Sequence, residues 1–303
     1  MTGSAGQAKS RAMTKVQNPS LAEGLARLKT PVLPLVHIVQ WLYLSGPFQT
    51  VAEMLPQLTE PIEMEHGTYH DPITVLAPYS EALAHLHGLK QHPAAATPRF
   101  IQDEDGTSLD AMEAVVQWTR HLILSRELEA INSLLCAPQG CTLCCTGPTD
   151  EQQQLFFEIP LEASETALFD LRRHDDPESR TATPYDEPPL LRQGSPFYAT
   201  GTCLYNWRSG WGLILPKGSR CPQLDDSGAC SIYPQRPSVC RKPQIFPYLL
   251  EKEAERGERC ETYTLRNKIL AVWDCPYVMD NREEIATYAE LCGLEPVFRR
   301  NKQ

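Results

Sequence analysis

The sequence predicts an α+β protein in which a helical N-terminal half packs on a cysteine-rich α+β metal-binding half. Three observations support this fold class. Apolar residues recur with a helical period over residues 108–135, and two apolar strand-like segments lie between residues 197 and 215. All eleven cysteines of the 303-residue chain lie at or beyond residue 136, so the cysteine-rich part is confined to the second half.

The N-terminal half reads as a series of helices. Residues 1–19 are small, polar and basic, and we expect a disordered tail there. Ser20 and Glu23 form a capping-box pattern that opens a helix to about Lys29. Asp110 and Glu113 favour the start of the long helix, because acidic side chains stabilise the positive end of a helix dipole. The predicted helices of this half cover residues 20–29, 35–45, 50–58, 79–90 and 108–135.

The C-terminal half mixes strands, short helices and long loops. The final helix should be capped by Asn281 with Glu284 and stopped by Gly293. A polar segment rich in Pro and Asp, residues 174–196, reads as a loop. The other predicted elements are a strand over 155–159, a helix over 164–173, paired strands over 197–207 and 211–215, a strand over 263–273 and the final helix over 281–292. The predicted domains are therefore a tail over 1–19, a helical region over 20–130, a cysteine-rich metal-binding domain over 131–295 and a tail over 296–303.

Composition and charge argue against several classes of protein. The formal net charge is −10 and no dense Lys/Arg run occurs, which argues against a nucleic-acid partner. No segment approaches the roughly 20 apolar residues of a membrane helix, so we expect no membrane span and a cytoplasmic location. In a reducing compartment, cysteines in such number indicate metal ligation or redox chemistry rather than disulfides.

The cysteines fall into two groups with different spacing. Cys136, Cys141, Cys144 and Cys145 form the first group, and Cys221, Cys230 and Cys240 form the second. Two cysteines separated by two residues can bind one metal ion from a single turn, and Cys141 and Cys144 have this spacing. Adjacent side chains diverge, so Cys145 should serve a second metal, bridge a cluster or stay outside the site. Because seven thiols exceed one tetrahedral site, the pattern indicates a multinuclear centre or two sites.

Four cysteines stand outside these groups. Cys203 and Cys292 lie on apolar faces and are expected to be buried core residues. Cys260 and Cys275 are less easily placed, and Cys275, which precedes a proline, is included among the candidate ligands. Cys275 and Cys221 are each followed by proline, as is the last cysteine of ferredoxin-type runs, and this favours an iron–sulfur cluster. Zinc ribbons usually have two C-x2-C pairs, and the long spacings of the second cysteine group fit that pattern less well.

The two groups together resemble the YkgJ-type cysteine-cluster family, which carries a C-x2-C-x2-C-C signature. The more specific stretch is Cys-Pro-x-Leu-Asp from Cys221, Cys-Ser-Ile-Tyr from Cys230, and Arg-Pro-x-x-Cys-Arg from Arg236. The resemblance covers about residues 136–245. It implies a zinc- or iron-chelating domain in which Cys141, Cys144, Cys145, Cys221, Cys230 and Cys240 are ligands. Cys136 departs from the signature, since four residues separate it from Cys141 where two or three are usual.

Related flagellin lysine methylases carry an iron–sulfur cluster and use S-adenosylmethionine, so the resemblance also implies an enzymatic alternative. The expected cofactor is an iron–sulfur cluster of the [4Fe–4S] type, or zinc or iron ions. The methylase hypothesis adds S-adenosylmethionine as a further cofactor and a protein as the substrate. A third hypothesis is a metal carrier or adaptor protein.

Arg236 and Arg241 are predicted to lie at the cofactor, where positive charge lowers cysteine pKa values. The same two arginines could instead pair with Asp225 and Asp226, which read as part of a turn over residues 225–228.

Overall fold

The computed structural model describes residues 19–91, 100–136, 141–226, 228–241, 244–253, 261–273 and 275–299. It contains helices and several small sheets, and the predicted α+β class is confirmed. The chain divides into two compact units. The first unit contains Met1–Pro138 and Gln244–Gln303, and the second contains Gln139–Pro243. The predicted disordered tail over 1–19 lies outside the described residues except for Pro19, and the predicted boundary near residue 131 stays a prediction.

The first unit is built largely from helices joined by short turns. Every helix predicted between residues 20 and 135 is present. The helix predicted over 79–90 is divided by a 3₁₀ turn (His85–His87), and the one predicted over 50–58 ends in another (Leu55–Gln57). The helices in chain order are α1 (Pro19–Lys29), α2 (Val32–Ser45), α3 (Val51–Met54), α4 (Pro72–Leu76), α5 (Ser80–Ala84), α6 (Gly88–Gln91) and α7 (Ala111–Cys136). A small hairpin of β1 (Ile62–Met64) and β2 (Gly67–Tyr69) lies between α3 and α4.

Helix α7 begins three residues later than its predicted start. The side chain of Asp110 accepts a hydrogen bond of 2.8 Å from the Glu113 backbone N–H, so Asp110 caps the helix instead of lying within it. Buried residues recur along the whole length of α7, including Val115, Ile123 and Ile131. The helix therefore forms the centre of the core of this unit.

The sheet of the first unit combines an early strand with the end of the chain. Its strands are β3 (Phe100–Gln102), β10 (Ile245–Lys252), β11 (Thr262–Val272) and β12 (Glu295–Arg299). Strand β11, which was predicted, pairs antiparallel with β10 and parallel with β12 and β3. The predicted tail over 296–303 contains β12 as far as Arg299, and the remaining residues lie outside the described part of the chain.

Two buried polar side chains on α7 hold the C-terminal segment. Glu127 accepts hydrogen bonds from the Val32 backbone N–H (2.8 Å) and from the Tyr288 hydroxyl (2.6 Å). Asn132 donates to the Ile245 carbonyl oxygen at 2.7 Å and accepts from the Tyr277 hydroxyl. Both side chains are almost fully buried, so these bonds replace water that the core excludes.

Two helices precede the last strand, α10 (Pro276–Asp280) and α11 (Arg282–Leu291). The predicted final helix is confirmed, and Gly293 follows it with φ +67°, a conformation that favours glycine after a helix. The predicted cap is wrong: the Asn281 side chain makes no capping bond to α11 and donates to the Tyr277 carbonyl oxygen at 2.6 Å. Burial of Asn281 at the junction of the two helices directs its amide back into the preceding helix.

The second unit is organised around a four-stranded sheet of order β4–β9–β8–β5. The predicted strand pair is present as an antiparallel hairpin of β8 and β9, with β4 on its outer side. The first strand is shorter than the predicted 197–207, because Phe197–Thr200 forms a 3₁₀ turn and β8 begins at Cys203. The predicted loop over 174–196 contains short elements. The elements of this unit are β4 (Phe156–Leu161), a 3₁₀ turn (Ala163–Leu168) where a helix was predicted, β5 (Arg173–His174), α8 (Pro177–Thr181), β6 (Leu191–Arg192), β7 (Ser195–Pro196), β8 (Cys203–Trp207), β9 (Gly210–Pro216) and α9 (Ser238–Arg241).

Among the residues that the structure describes, no helix is long and apolar enough to cross a membrane.

Candidate metal centre

The first cysteine group ends in a tight turn. The Cys145 backbone N–H donates to the Thr142 carbonyl oxygen at 2.8 Å, which closes the turn that follows Cys141. Cys144 is exposed and Cys145 is half-buried, so the two adjacent side chains differ in their surroundings. None of the ten cysteines that the structure describes forms a disulfide.

This turn is joined to the start of the second group by backbone hydrogen bonds. The Cys221 N–H donates to the Cys145 carbonyl oxygen at 2.7 Å, and the Gly147 N–H donates to the Ser219 carbonyl oxygen at 2.9 Å. A side chain at Gly147 would not fit, because its Cβ would lie 2.0 Å from the backbone oxygen of Pro216. Glycine at this position therefore allows the two cysteine segments to lie side by side.

Cys221 and Cys230 lie on opposite arms of a short hairpin. Leu224 pairs with Cys230 in an antiparallel bridge, and the Asp225 N–H donates to the Ala229 carbonyl oxygen at 2.9 Å. The predicted turn is present at Asp225, Asp226 and Gly228, while Ser227 lies outside the described residues. Asp226 forms an ion pair with Arg220 at 2.7 Å.

Cys240 lies on helix α9, next to two arginines. Arg236 is only 7% exposed, and its Nε donates to the Tyr233 carbonyl oxygen at 3.1 Å. Its guanidinium also lies 3.8 Å from the centre of the Tyr233 ring, within the range of a cation–π contact. The Arg241 guanidinium donates to the Arg236 carbonyl oxygen. The segment thus holds a buried positive charge close to Cys240.

Five thiols of the second unit influence one another electrostatically. The pKa of Cys145 is raised to about 12, first by burial and then by Cys221, Cys144, Cys240 and Cys230, in that order of effect. The pKa of Cys240 is also raised to about 12, mainly by burial, with Cys221, Cys230 and Cys144 acting in the same direction and Arg236 opposing them. Cys145 and Cys240 therefore stay protonated near neutral pH, and a bound cation would favour their thiolate forms.

The remaining predicted ligands are placed differently. Cys136, the last residue of α7, and Cys275, at the start of α10, belong to the first unit and pack against its core. Cys141 is half-buried in the second unit. Cys203 and Cys292 are buried, as predicted. Cys260 lies outside the described residues.

The residues present fit a thiolate-bound metal in chemistry and in chain arrangement. Zinc, iron and iron–sulfur clusters all accept cysteine ligands. Within the described part of the chain, no three cysteine, histidine or carboxylate side chains already converge on one metal position. The backbone brings the thiols into one neighbourhood, but their side chains have to rotate before they can coordinate a metal together.

Two residues that contact the cysteine segments were not found from the sequence. Glu165 accepts a hydrogen bond of 2.6 Å from the backbone N–H of Ser238, at the start of α9. Gln223 donates to the Leu168 carbonyl oxygen at 2.6 Å. Glu162 and Glu165 do show the spacing of a capping box, but no local pattern reveals a contact with a residue 73 positions away.

Comparison with known proteins supports a metal-binding role. No protein of curated function and no solved structure matches the chain. A family model named CxxCxxCC and described as "Putative zinc- or iron-chelating domain" matches residues 135–293, which include every candidate ligand. Since the match covers just over half of the 303 residues, the chain belongs to the CxxCxxCC family.

Proposed function

We propose that this protein binds an iron–sulfur cluster through thiolates drawn from Cys144, Cys145, Cys221, Cys230 and Cys240. One observation carries the proposal: thiols from two distant cysteine groups lie close enough to alter one another's pKa values. The backbone bond between Cys221 and Cys145 explains how the two groups are held together. Cys141, Cys136 and Cys275 remain candidate ligands, and the reaction of the centre stays open.

The spread of the thiols, rather than their number, favours a cluster over a single zinc ion. A structural zinc site uses four ligands that converge at about 2.3 Å from one ion. Here five thiols share one neighbourhood, and among the described side chains no three converge in that way. A cluster with several irons accepts thiolates that are farther apart, because each thiolate binds a different iron.

The roles of the chain's own residues follow from their positions. When bound, an iron–sulfur cluster supplies one-electron redox chemistry. The cysteines would hold it as thiolates, and Arg236 and Arg241 would offset part of the negative charge that the thiolates bring. Arg236 is suited to this role because its guanidinium is already fixed by Tyr233.

Metal and acid-labile sulfide content, measured on protein purified without oxygen, tests the proposal. We expect iron with matching sulfide, and loss of both in Cys145→Ala and Cys230→Ala. Cys203→Ala is the matched control, because Cys203 is a buried cysteine on strand β8 that is not among the proposed ligands. If the purified protein contains zinc and no sulfide, the centre is a zinc site and the cluster assignment is wrong. Equal metal content in all four proteins would overturn the ligand assignment.

The methylase hypothesis, with S-adenosylmethionine and a protein substrate, stays a prediction. Ligand binding to the native state alone raises thermal stability. A thermal-shift titration of the metal-loaded protein with S-adenosylmethionine therefore tests it, and an unchanged melting temperature at saturating ligand would count against methyl transfer. The cytoplasmic location also stays a prediction.

A further inference from the structure

The proposed ligands differ in how firmly the chain holds them. Helix α9, which carries Cys240, is fixed at its start by Glu165, whose Oε1 accepts from the Ser238 N–H at 2.6 Å. The other carboxylate oxygen of Glu165 accepts from the Glu162 N–H at 2.9 Å. Both oxygens are therefore bonded, and the carboxylate links the 3₁₀ turn over Ala163–Leu168 to the helix that bears Cys240.

The same 3₁₀ turn holds the hairpin that carries Cys221 and Cys230. Gln223 donates to the Leu168 carbonyl oxygen at 2.6 Å, and its side-chain oxygen accepts from the Ser231 hydroxyl at 2.6 Å. Gln223 thus ties both arms of the hairpin to the turn. All three ligands of the second group are consequently attached, through Glu165 and Gln223, to one short piece of backbone.

Cys144 lies in a contrasting environment. Of the six described cysteines between residues 141 and 240 that are proposed or candidate ligands, Cys144 alone is exposed. Its neighbour Leu143 is also exposed, at 59%. Cys145, directly after it, is half-buried and bonded through its backbone to Cys221. An incoming ligand approaching from solvent therefore meets Cys144 before any of the other proposed ligands.

From this difference we propose that the centre exchanges metal with a thiol-bearing acceptor through Cys144, while Glu165 acts as a positioning residue that keeps the Cys240 arm in place. The inference rests on the proposed thiolate centre. In the exchange step an acceptor thiol loses its proton and its sulfur forms a bond to the metal. The bond from Cys144 to the same metal breaks, Cys144 takes up a proton, and the oxidation state of the metal does not change. A thiol acceptor suits this step because it offers the metal the same kind of donor atom that it leaves.

Cadmium transfer from the full-length protein tests the exchange route. Cd²⁺ is loaded without oxygen onto the metal-free protein, and its release to dithiothreitol is followed through the thiolate-to-cadmium absorbance. We expect Cys144→Ser to retain stoichiometric Cd²⁺ and to release it at least tenfold faster than the unaltered protein, because the ligand that normally leaves first is missing. Cys240→Ser should instead fail to hold Cd²⁺ at stoichiometric concentration.

The outcomes separate this inference from the proposed function. If the unaltered protein binds no Cd²⁺ through its thiols, the thiolate centre itself is wrong. If the protein binds Cd²⁺ and the two serine variants lose it equally, or release it at the unaltered rate, the special role of Cys144 is wrong. Circular dichroism of each variant shows whether a loss of binding reflects unfolding.

A second pair of variants tests the role of Glu165. Glu165→Ala removes the bond to Ser238, whereas Glu162→Ala disturbs the same 3₁₀ turn without touching α9. We expect Glu165→Ala to weaken Cd²⁺ binding at least tenfold and to shift the cadmium absorbance, with Glu162→Ala within twofold of the unaltered protein. Equal effects of both variants on affinity, with equal losses in melting temperature, would show that Glu165 only stabilises the turn.

Discussion

The buried carboxyl group of Glu127 should make the stability of the first unit depend on pH in an unusual direction. Glu127 is 3% exposed, and burial raises its pKa from about 4.5 to about 7, against the opposing effect of the hydrogen bonds from Tyr288 and Val32. The unfolded chain loses this proton near pH 4.5 and the folded chain loses it near pH 7. The contribution of Glu127 to the free energy of unfolding is therefore fully present below pH 4.5 and is lost as pH rises towards 7.

The size of the effect follows from the two pKa values. At about 1.4 kcal/mol for each pKa unit, the difference corresponds to a total loss of about 3 kcal/mol in the free energy of unfolding. Between pH 5 and pH 8 the expected loss is smaller, roughly 2–3 kcal/mol, because part of the change occurs below pH 5. Glu127→Gln cannot ionise, and its amide can still accept from Val32 and donate to the Tyr288 oxygen.

Urea unfolding of the unaltered protein and of Glu127→Gln, measured from pH 5 to pH 8, provides the assay. The difference in unfolding free energy between the two proteins should move by roughly 2–3 kcal/mol in favour of the glutamine variant as pH rises. All other residues are the same in both proteins, so the difference isolates the change at position 127. A difference that stays constant across this range would refute the reasoning, since Glu127 would then have the same pKa in both states.

Three further predictions concern buried contacts. Tyr288→Phe removes the hydroxyl that helps to ionise this carboxyl group, so it should shift the pH-dependent loss of stability to higher pH in the same urea series. Asn132→Ala leaves the Ile245 carbonyl without its 2.7 Å partner and should cost about 3 kcal/mol in urea unfolding; a loss within about 0.5 kcal/mol would show that water replaces the amide. Gly147→Ala places a Cβ 2.0 Å from the Pro216 oxygen and should weaken both stability and Cd²⁺ binding, and an unchanged binding curve would contradict the proposed alignment of the cysteine segments.

Elements with strong local periodicity could be predicted from the sequence, and their partners in space could not. Helix α7 and the hairpin of β8 and β9 are marked by their own apolar patterns. Strand β10 contains Pro247 and strand β12 contains Pro296, and proline argues against a strand. Both strands lie at edges of the path β10–β11–β12, where a missing N–H is tolerated, so tertiary position overrides the local signal.

The candidate site shows the same division between local and distant information. The spacing of Cys141, Cys144 and Cys145 indicates metal ligation, because ligand spacing is a local property of the chain. The attachment of α9 to Glu165 depends on a contact across 73 residues, which one sequence does not encode in any visible pattern. Asn281 is an intermediate case, since its residue type predicts a cap but its burial gives the side chain a different partner.

The order of the chain within the first unit has a consequence for its biosynthesis. Helix α7 leaves the ribosome before the second unit. The hydrogen-bond partners of its buried Glu127 and Asn132, which are Tyr288 and Ile245, are translated only after the second unit. The nascent chain therefore has to keep the apolar surface of α7 from aggregating while about a hundred residues of the cysteine-rich unit emerge. During that interval the whole of the second unit leaves the ribosome before the strands and helices that complete the first unit.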